Sequence, residues 1–312
     1  MFKTLRAIFE KKQDIELSDA LAPSFKTLMN LKKDVPYLKD LHLKKTSYQA
    51  GDAKSAFKGR GVEFEEVRLY QFGDDVRDID WRVTARKNQP FTKLYMEEKD
   101  REVYLWLDLS AQMYFGTSNE LKSVTAAKVS ALIGWFALSY KDRFGLALYT
   151  GKQTYLFEPR RNQDYFLSIL KKIEKVAKDN LNAQKATELP QKSLQYLQKK
   201  ADRHAIIFLV SSFDFQNQNM LREMSMLTRQ NEVYLIDIYD KLEAVCPPRG
   251  EYVAEFEGQK EKIRNGGDKY EHAYETYFEN KRRAVKDFCL KNGAHYRSVR
   301  SDLPIYKQLR PI

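Results

Sequence analysis

Four continuous apolar runs recur along the C-terminal part of the chain, at residues 102–110, 143–151, 205–212 and 232–240. A run without polar alternation is typical of a strand that is buried on both faces. Stretches with helical spacing of apolar residues separate the runs, so strands and helices alternate along the chain. This alternation predicts an α/β fold, with a doubly wound, mostly parallel sheet and helices on both faces.

The segments between and after these strands carry start and stop signals. Thr117 and Glu120 have the spacing of a capping box and predict a helix that runs to about Tyr140. Asn292 followed by Gly293 predicts the end of a long helix. The other predicted elements are a short strand at 154–157, helices at about 162–178, 190–200, 217–230 and 270–291, a hairpin at 251–263, and a last strand in HYRSVRS.

The pattern of apolar and polar residues changes twice before the first buried strand. These changes predict three regions in the chain. Residues 1–45 have the apolar spacing of short amphipathic helices, broken near Pro23 and Pro36. Residues 46–101 are punctuated by glycines and contain partly alternating segments such as VEFEEVRLYQF, so we expect short strands and turns. Residues 102–312 hold the predicted sheet and a C-terminal extension.

Composition and charge narrow the class of protein. The chain has 312 residues, of which 43% are hydrophobic and 31% charged, and this excludes a collagenous, low-complexity or wholly disordered protein. Two cysteines without a CxxC spacing indicate a reducing compartment, so we expect a cytoplasmic protein. We expect no signal peptide, because Glu10, Lys11 and Lys12 interrupt the N-terminal segment before an apolar run develops. We also expect no membrane span, because the longest apolar stretch, at 129–140, is too short. The net charge of +11 permits anionic partners but includes no basic block.

Side chains with oxygen atoms follow two of the predicted strands. The first strand ends in Asp108, Ser110 and Gln112, and the third ends in Ser211, Ser212 and Asp214. Because open α/β sheets bind ligands outside the carboxyl ends of their strands, these residues would share a functional edge. Carboxylate and hydroxyl oxygens suit a hard cation such as Mg²⁺. The alternative is that Asp and Ser only cap helices at ordinary strand-to-helix turns.

Two stretches resemble a known family. DLSAQ, at the end of the first strand, is similar to the Asp-x-Ser-x-Ser motif of the metal-ion-dependent adhesion site in von Willebrand factor A domains. The preceding stretch GRGVEFEEVRLYQFGDDVRDIDWRVTARKNQPFTKLYMEEKD resembles the signature of the domain of unknown function 58 family, which joins such a segment to a von Willebrand A-like domain. The resemblance extends over about residues 50–312, and its most specific positions are Gly73, Asp74, Arg77, Asp80, Trp81, Arg82 and Arg86.

This resemblance implies which residues would form the adhesion site. Asp108 and Ser110 match its first two metal ligands, and Thr187 matches its threonine ligand. Gln112 and Ser212 stand where the family has a serine and an aspartate, and Asp214 is the nearest carboxylate that would replace the missing one. We therefore expect a degenerate site with no resident cofactor and at most weak binding of Mg²⁺ or Mn²⁺.

The signature block has two interpretations. The three arginines and four aspartates of GDDVRDIDWRVTAR form either a salt-bridged turn or a recognition surface that binds carboxylates or phosphates of a partner. In the first case Trp81 packs the turn onto the sheet. We predict that Trp81 is buried against the first strand, so that its loss costs about 3–5 kcal/mol.

The sequence predicts a non-enzymatic interaction protein. It has no phosphate-binding loop, no HExxH and no GxSxG motif, and its four histidines are far apart. The resemblance implies a bacterial adaptor that binds a MoxR-type AAA+ ATPase through the edge of its sheet, in chaperone-like complex maturation or stress response. A nucleic-acid-binding module that uses the basic surface and a metal-dependent hydrolase without a visible general base remain as alternatives. We expect no small-molecule substrate.

Overall fold

The computed structural model describes residues 19–38, 62–97, 101–181, 187–213, 218–256 and 259–309. By its internal contacts the chain divides into two units. We call residues 1–42 together with 101–312 the sheet unit, and residues 43–100 the hairpin unit. The described N-terminal residues 19–38 therefore belong to the same unit as the sheet.

Strands and helices are numbered here in chain order. The strands are β1 (Val62–Leu69), β2 (Phe91–Glu97), β3 (Glu102–Asp108), β4 (Arg143–Tyr149), β5 (Thr154–Arg160), β6 (Ile206–Ser211), β7 (Glu232–Tyr239), β8 (Gly250–Phe256), β9 (Gln259–Asn265) and β10 (His295–Arg300). The α-helices are α1 (Phe25–Asn30), α2 (Trp81–Lys87), α3 (Lys122–Ser139), α4 (Gln163–Asp179), α5 (Pro190–Lys200), α6 (Gln218–Thr228), α7 (Asp268–Asn292) and α8 (Ile305–Gln308). Short 3₁₀ turns cover Leu31–Leu38, Val76–Asp78, Ala111–Met113 and Lys241–Glu243.

The predicted mostly parallel sheet is confirmed in the sheet unit. Six strands lie in the order β10-β7-β6-β3-β4-β5, and all neighbours run parallel except β5, which is antiparallel to β4. Strand β3 is buried at every residue, as its uninterrupted apolar run predicts. The chain leaves β3 for β4 on one side and later returns to β6 on the other side. The strand order therefore reverses between β3 and β6, and such a switch point is where open α/β sheets bind ligands.

Helices cover both faces of this sheet, as predicted. On one face, Trp106 of β3 and Leu209 of β6 pack in one cluster with Leu194 of α5, Met224 of α6 and Val285 of α7. On the other face, α3 contacts β3, β4 and α4. The sheet is thus the middle of three layers.

The layer of α3 and α4 is closely packed around Gly134. A Cβ atom at this position would lie 2.3 Å from the ring of Phe166, so any side chain would displace the ring. Phe166 also meets Trp135 and Phe144 edge to face, with ring centroids 4.9 and 5.2 Å away. The indole N–H of Trp135 donates to the carbonyl of Leu28 at 3.1 Å, and Leu28 is fully buried. The segment around α1 is therefore part of the core.

The start of α3 differs from the prediction. Thr117 and Glu120 do not open this helix, which begins at Lys122 after an N-cap residue, Leu121, without a side-chain capping bond. Instead, the N–H of Thr117 donates to the carboxylate of Asp240 at 3.0 Å. The predicted capping box fails because Thr117 makes a contact with the end of β7, far away in the sequence.

The hairpin unit is built from the antiparallel strands β1 and β2, with α2 between them. Asp80 caps α2, since its carboxylate accepts from the N–H groups of Arg82 at 3.0 Å and Val83 at 3.1 Å. The prediction that Trp81 is buried is wrong, because its side chain is 66% exposed. The half-buried side of α2 is formed by Val83 and Thr84, and Trp81 lies outside it.

The predictions for the C-terminal part are confirmed. Strands β8 and β9 form an antiparallel hairpin, and β10 adds to the edge of the sheet beside β7. Helix α7 ends at Gly293, whose φ of +67° is the left-handed conformation that glycine adopts most easily. Among the described residues, no helix has both the length and the apolar character needed to cross a membrane.

Candidate functional site

Asp108 ends β3 at the switch point of the sheet, and its buried carboxylate accepts three hydrogen bonds. Oδ1 accepts from the backbone N–H of Ser110 at 2.8 Å. Oδ2 accepts from the side-chain amide of Gln112 at 2.8 Å and from the hydroxyl of Ser211 at 2.6 Å. Because Asp108 is only 1% exposed, it needs such donors in place of water. The carboxylate therefore ties the loop after β3 to the end of β6.

Ser211 lies at the predicted strand end, but the sequence did not single it out as a site residue. The resemblance singled out Ser212, which is also buried, but its described hydrogen bond runs from its backbone N–H to the sulfur of Met113 at 3.3 Å. The hydroxyl that contacts Asp108 comes from the residue before it. The sequence therefore indicated the right strand end, but the serine that contacts Asp108 is the residue before Ser212.

The strand register explains the choice of serine. Parallel pairing of β3 with β6 continues to the pair just before Asp108 and Ser211, so these two residues are neighbours across the strands. Trp106 and Leu209 precede them by two residues and share one face of the sheet. Since side chains alternate along a strand, Asp108 and Ser211 point to that same face.

The loop after β3 covers the carboxylate. Ser110 precedes the 3₁₀ turn Ala111–Met113, and its hydroxyl makes no capping bond, so the capping alternative is not supported at this serine. Gln112 is exposed and donates its amide N–H to Asp108. This edge of the sheet therefore presents the amide of Gln112 to solvent, and the carboxylate lies beneath it.

Thr187 lies at the same edge, next to the end of β4. Its backbone N–H donates to the carbonyl of Gly151 at 2.7 Å, and the N–H of Glu188 donates to the same carbonyl at 2.9 Å. Thr187 is exposed. Within the described part of the chain, no hydrogen bond joins the Thr187 hydroxyl to Asp108.

Asn180 holds the ends of two central strands together. Its buried side-chain amide donates to the carbonyl of Leu109, after β3, at 3.0 Å and to the carbonyl of Thr150, after β4, at 3.1 Å. Asn180 follows α4 and is far from both strands in sequence, so no local pattern indicated this positioning role. The edge of the sheet is thereby fixed by side chains as well as by the backbone ladder.

A second buried carboxylate lies in the same row of the sheet. Asp237 of β7 pairs in register with Ser211 on one side and with Ser298 on the other. The hydroxyl of Tyr296 donates to Asp237 at 3.1 Å. Burial raises the pKa of Asp237 to about 6, although this hydrogen bond and the positive charge of Lys281 act in the opposite direction.

The hydroxyl of Tyr114, on the loop after β3, is buried and has no hydrogen-bond partner among the described residues. Burial, followed by the negative charges of Asp108 and Asp179, raises the pKa of Tyr114. The phenol is therefore neutral at physiological pH and adds no anionic ligand near Asp108.

The described side chains around Asp108 do not fit a tightly bound divalent cation. Mg²⁺ and Mn²⁺ prefer several oxygen ligands, whereas both oxygens of Asp108 already accept bonds from N–H or O–H groups. Gln112 turns a donor toward the carboxylate where the resembling motif has a serine ligand. In the described ranges, no group of three or more His, Cys, Asp or Glu side chains is arranged to hold a metal ion. Asp214 lies outside the described residues.

The signature residues lie in the hairpin unit, where they make local contacts. Asp74 accepts from the guanidinium of Arg68 at 2.6 Å and from the N–H of Gln71 at 2.9 Å. Gly73 and Asp74 build a turn, Asp80 caps α2, and the exposed positions are Arg77, Trp81, Arg82 and Arg86.

Comparison with known proteins gives a family match over most of the chain. The profile of the family described as "Protein of unknown function DUF58" matches residues 66–284. Uncharacterised proteins of Mycobacterium bovis and Mycobacterium tuberculosis are 26% identical to the chain over 203 residues. This match covers 65% of the chain and 63% of each relative, so the chain spans less than two thirds of the length of these relatives.

Two solved structures are similar to the chain at low identity. One is the conserved hypothetical protein BatB from Bacteroides thetaiotaomicron, with 15% identity, a TM-score of 0.42, and coverage of 67% of this chain and 93% of that one. The other is an aerotolerance-related membrane protein from Bacteroides fragilis, with 11% identity, a TM-score of 0.43, and coverage of 67% and 98%.

Proposed function

Since the chain belongs to the DUF58 family of proteins of unknown function, we propose that it is a non-enzymatic adaptor that binds another protein through the carboxyl edge of its sheet. The observation that carries this proposal is the set of hydrogen bonds around Asp108. Donors of the chain itself satisfy both carboxylate oxygens, so the loop after β3 and the end of β6 are held together without a cation. A preformed edge of this kind supports binding, because few side chains and loop residues must lose conformational freedom when a partner associates.

The exposed residues of this edge define what a partner would touch. Gln112 and Thr187 are exposed, and Leu189, which closely follows Thr187 in sequence, is 54% exposed. Asp108, Ser110 and Ser211 are buried. In this proposal the exposed residues contact the partner, and the buried ones hold them in position.

The chemistry at this edge supports binding rather than catalysis. The serines there, Ser110 and Ser211, have no hydrogen bond to a histidine among the described residues, and the hydroxyl of Ser211 is committed to Asp108. A nucleophilic serine requires an adjacent general base. The sequence also lacks a phosphate-binding loop.

The partner is a proposal that rests on the resemblance in the sequence. We propose a MoxR-type AAA+ ATPase, with the chain as the non-hydrolysing member of a chaperone-like pair. The strand order, with one antiparallel edge strand and an aspartate at the end of the first central strand, supports a von Willebrand A-like assignment of the sheet unit. Domains of this kind bind partners at the edge where Asp108 lies.

Interaction with a purified MoxR-type ATPase from the same organism tests this proposal. We would measure binding of the full chain by biolayer interferometry, in Mg²⁺ and in EDTA, for the wild type and for Gln112→Arg and Thr187→Arg. The matched control is Gln230→Arg, since Gln230 is exposed at the opposite, amino end of the sheet, just before β7. We expect binding that EDTA does not abolish, a loss in both edge variants and no loss in the control.

Two results would contradict the proposal in different ways. Absence of binding by the wild type would refute the ATPase as partner. Equal binding by all four proteins would refute the carboxyl edge as the interface.

A further inference from the structure

The hairpin unit presents apolar side chains that its own small core does not bury. Phe72 is 105% exposed, Trp81 66%, Val76 59% and Leu69 51%. Single exposed apolar residues are common on protein surfaces and need no explanation. Four of them, two of them aromatic, lie between Leu69 and Trp81, and exposed apolar side chains that lie together mark interaction sites.

A rigid turn holds Phe72 at its tip. The N–H of Asp74 donates to the carbonyl of Gln71 at 3.0 Å, and Gly73 has a φ of +106°. This is the geometry of a type II turn, which requires glycine at its third position. The Asp74 carboxylate closes the turn on the N–H of Gln71 and pairs with Arg68 at 2.6 Å. Several hydrogen bonds and an ion pair therefore fix the turn that carries the exposed Phe72.

Helix α2 places Trp81 beside two arginines. Trp81 and Ala85 lie one turn apart, as do Arg82 and Arg86, and these two rows are adjacent on a helix. All four residues are exposed, whereas Val83 and Thr84 form the half-buried side. The outer face of α2 thus carries an indole in one row and two guanidinium groups in the next row.

Within the described part of the chain, these guanidinium groups form no ion pair with an acidic side chain. Among the described residues, the ion pairs of the hairpin unit are Arg68 with Asp74 and Lys93 with Asp80. Neither of them involves Arg82 or Arg86. The carboxylate of Asp80 is occupied by the cap of α2. The arginines of α2 therefore do not form the predicted salt-bridged turn.

We propose that these side chains form a docking surface for a protein partner whose face carries carboxylates around an apolar centre. The surface, which we call the Trp81 surface, consists of Leu69, Phe72, Val76, Trp81, Arg82 and Arg86. Tryptophan and arginine are the side chains most enriched among residues that dominate binding energy. Arginine binds carboxylates with paired hydrogen bonds, which fixes the orientation of the partner.

The charge balance favours a protein over a nucleic acid. Between Asp74 and Lys87 the four acidic residues equal the four basic residues in number. A surface that binds a phosphate backbone needs a clear excess of positive charge, because contacts to the phosphates supply most of the affinity. Exposed aliphatic side chains do not contribute to such contacts. The mixed charges and the apolar residues instead match the composition of protein interfaces. The Trp81 surface lies outside the sheet unit, so this inference is independent of the function proposed for the edge at Asp108.

Tryptophan fluorescence tests whether the surface is free. The chain has three tryptophans, and Trp106 and Trp135 are 0% and 4% exposed, so Trp81 is the accessible one. In acrylamide quenching of the full chain we expect a readily quenched component that disappears in Trp81→Phe. If this component is missing from the wild type, another part of the chain covers the surface and the proposal is wrong. If it appears only on dilution, a second copy is the occupant and the proposal is wrong as well.

Peptide selection tests the chemistry of the partner. Random peptides displayed on phage would be selected on the immobilised full chain, and synthetic versions would be titrated by Trp81 fluorescence. We expect selected peptides that combine Asp or Glu with apolar residues. The double variant Arg82→Glu/Arg86→Glu should weaken their binding about tenfold or more, as loss of a dominant contact does. Lys171→Glu/Lys175→Glu is the matched control, since it changes the net charge equally at the same helical spacing on α4.

A second pair of variants tests the apolar part of the Trp81 surface without changing the net charge. Phe72→Ser should weaken binding, whereas Leu290→Ser, which removes another exposed apolar side chain at 81% exposure, should not. Peptides without carboxylates, or equal weakening in the control variants, would overturn the proposal. So would tighter binding of a DNA duplex or of anionic lipid vesicles that the double variant abolishes, since the surface would then recognise phosphate.

Discussion

Asp108 shows how donors from separate segments of the chain stabilise one buried carboxylate. Its neighbours Ser110 and Gln112 could be placed at the edge of the sheet from the sequence, because they directly follow an apolar run. Ser211 could not be separated from Ser212 in this way. A shift of one residue moves a side chain to the other face of a strand, and only the register between β3 and β6 decides which serine reaches the carboxylate.

We expect Ser211→Ala to lower the free energy of unfolding by about 1–3 kcal/mol, because it leaves a buried carboxylate with one donor fewer. The control is Ser130→Ala. Ser130 is also buried, but its hydroxyl donates to the carbonyl of Ala126, a backbone acceptor within α3. Urea unfolding of both variants measures the two losses. Equal losses would mean that the hydrogen bond from Ser211 to Asp108 contributes no more to stability than an ordinary buried hydrogen bond to the backbone.

At the scale of elements, the strands were more predictable than the contacts of single side chains. Strands β3, β4, β6 and β7 coincide with apolar runs because both faces of the sheet are covered by helices, so nearly every position must be apolar. The start of α3 was not predictable, because Thr117 bonds to Asp240 and not to its own helix. Trp81 was misplaced because a local sequence does not tell which side of a short helix faces the strands.

Two variants of α2 distinguish a residue that caps the helix, Asp80, from a residue that is only exposed on it, Trp81. Asp80→Ala removes the acceptor of two helix N–H groups, and we expect it to cost the hairpin unit about 0.5–2 kcal/mol. Trp81→Ala should change stability by less than about 0.5 kcal/mol, as an exposed substitution usually does. Hydrogen exchange of residues 81–87, followed by mass spectrometry in the full chain, measures both effects. Asp80→Asn is the control, since asparagine caps nearly as well as aspartate. Faster exchange in Trp81→Ala than in Asp80→Ala would contradict this assignment of roles.

At the scale of the molecule, alternation of strands and helices predicted the parallel sheet but not the order of its strands. The order arises from long-range packing, and so does the inclusion of α1, which is tied to α3 by the bond from Trp135 to Leu28. Long-range packing also buries Asp237, in a strand that the sequence marks only as apolar. The energetic consequence of that burial extends to the whole sheet unit.

The stability of the sheet unit is therefore expected to depend on the protonation of Asp237. Burial raises the pKa of Asp237 from 3.8 to about 6, so the folded chain keeps a proton that the unfolded chain has already released. The contribution of Asp237 to the free energy of unfolding must then fall as the pH rises from about 4 to about 6, and stay constant above. A shift of about two pKa units corresponds to about 3 kcal/mol.

Urea unfolding of the wild type and of Asp237→Asn between pH 4 and pH 7 isolates this contribution, because all other titrating groups are common to both proteins. We expect the stability of the wild type relative to the variant to decrease across the window and to level off above about pH 6. A difference between wild type and Asp237→Asn that does not change with pH would mean that Asp237 is ionised in the folded chain throughout this range.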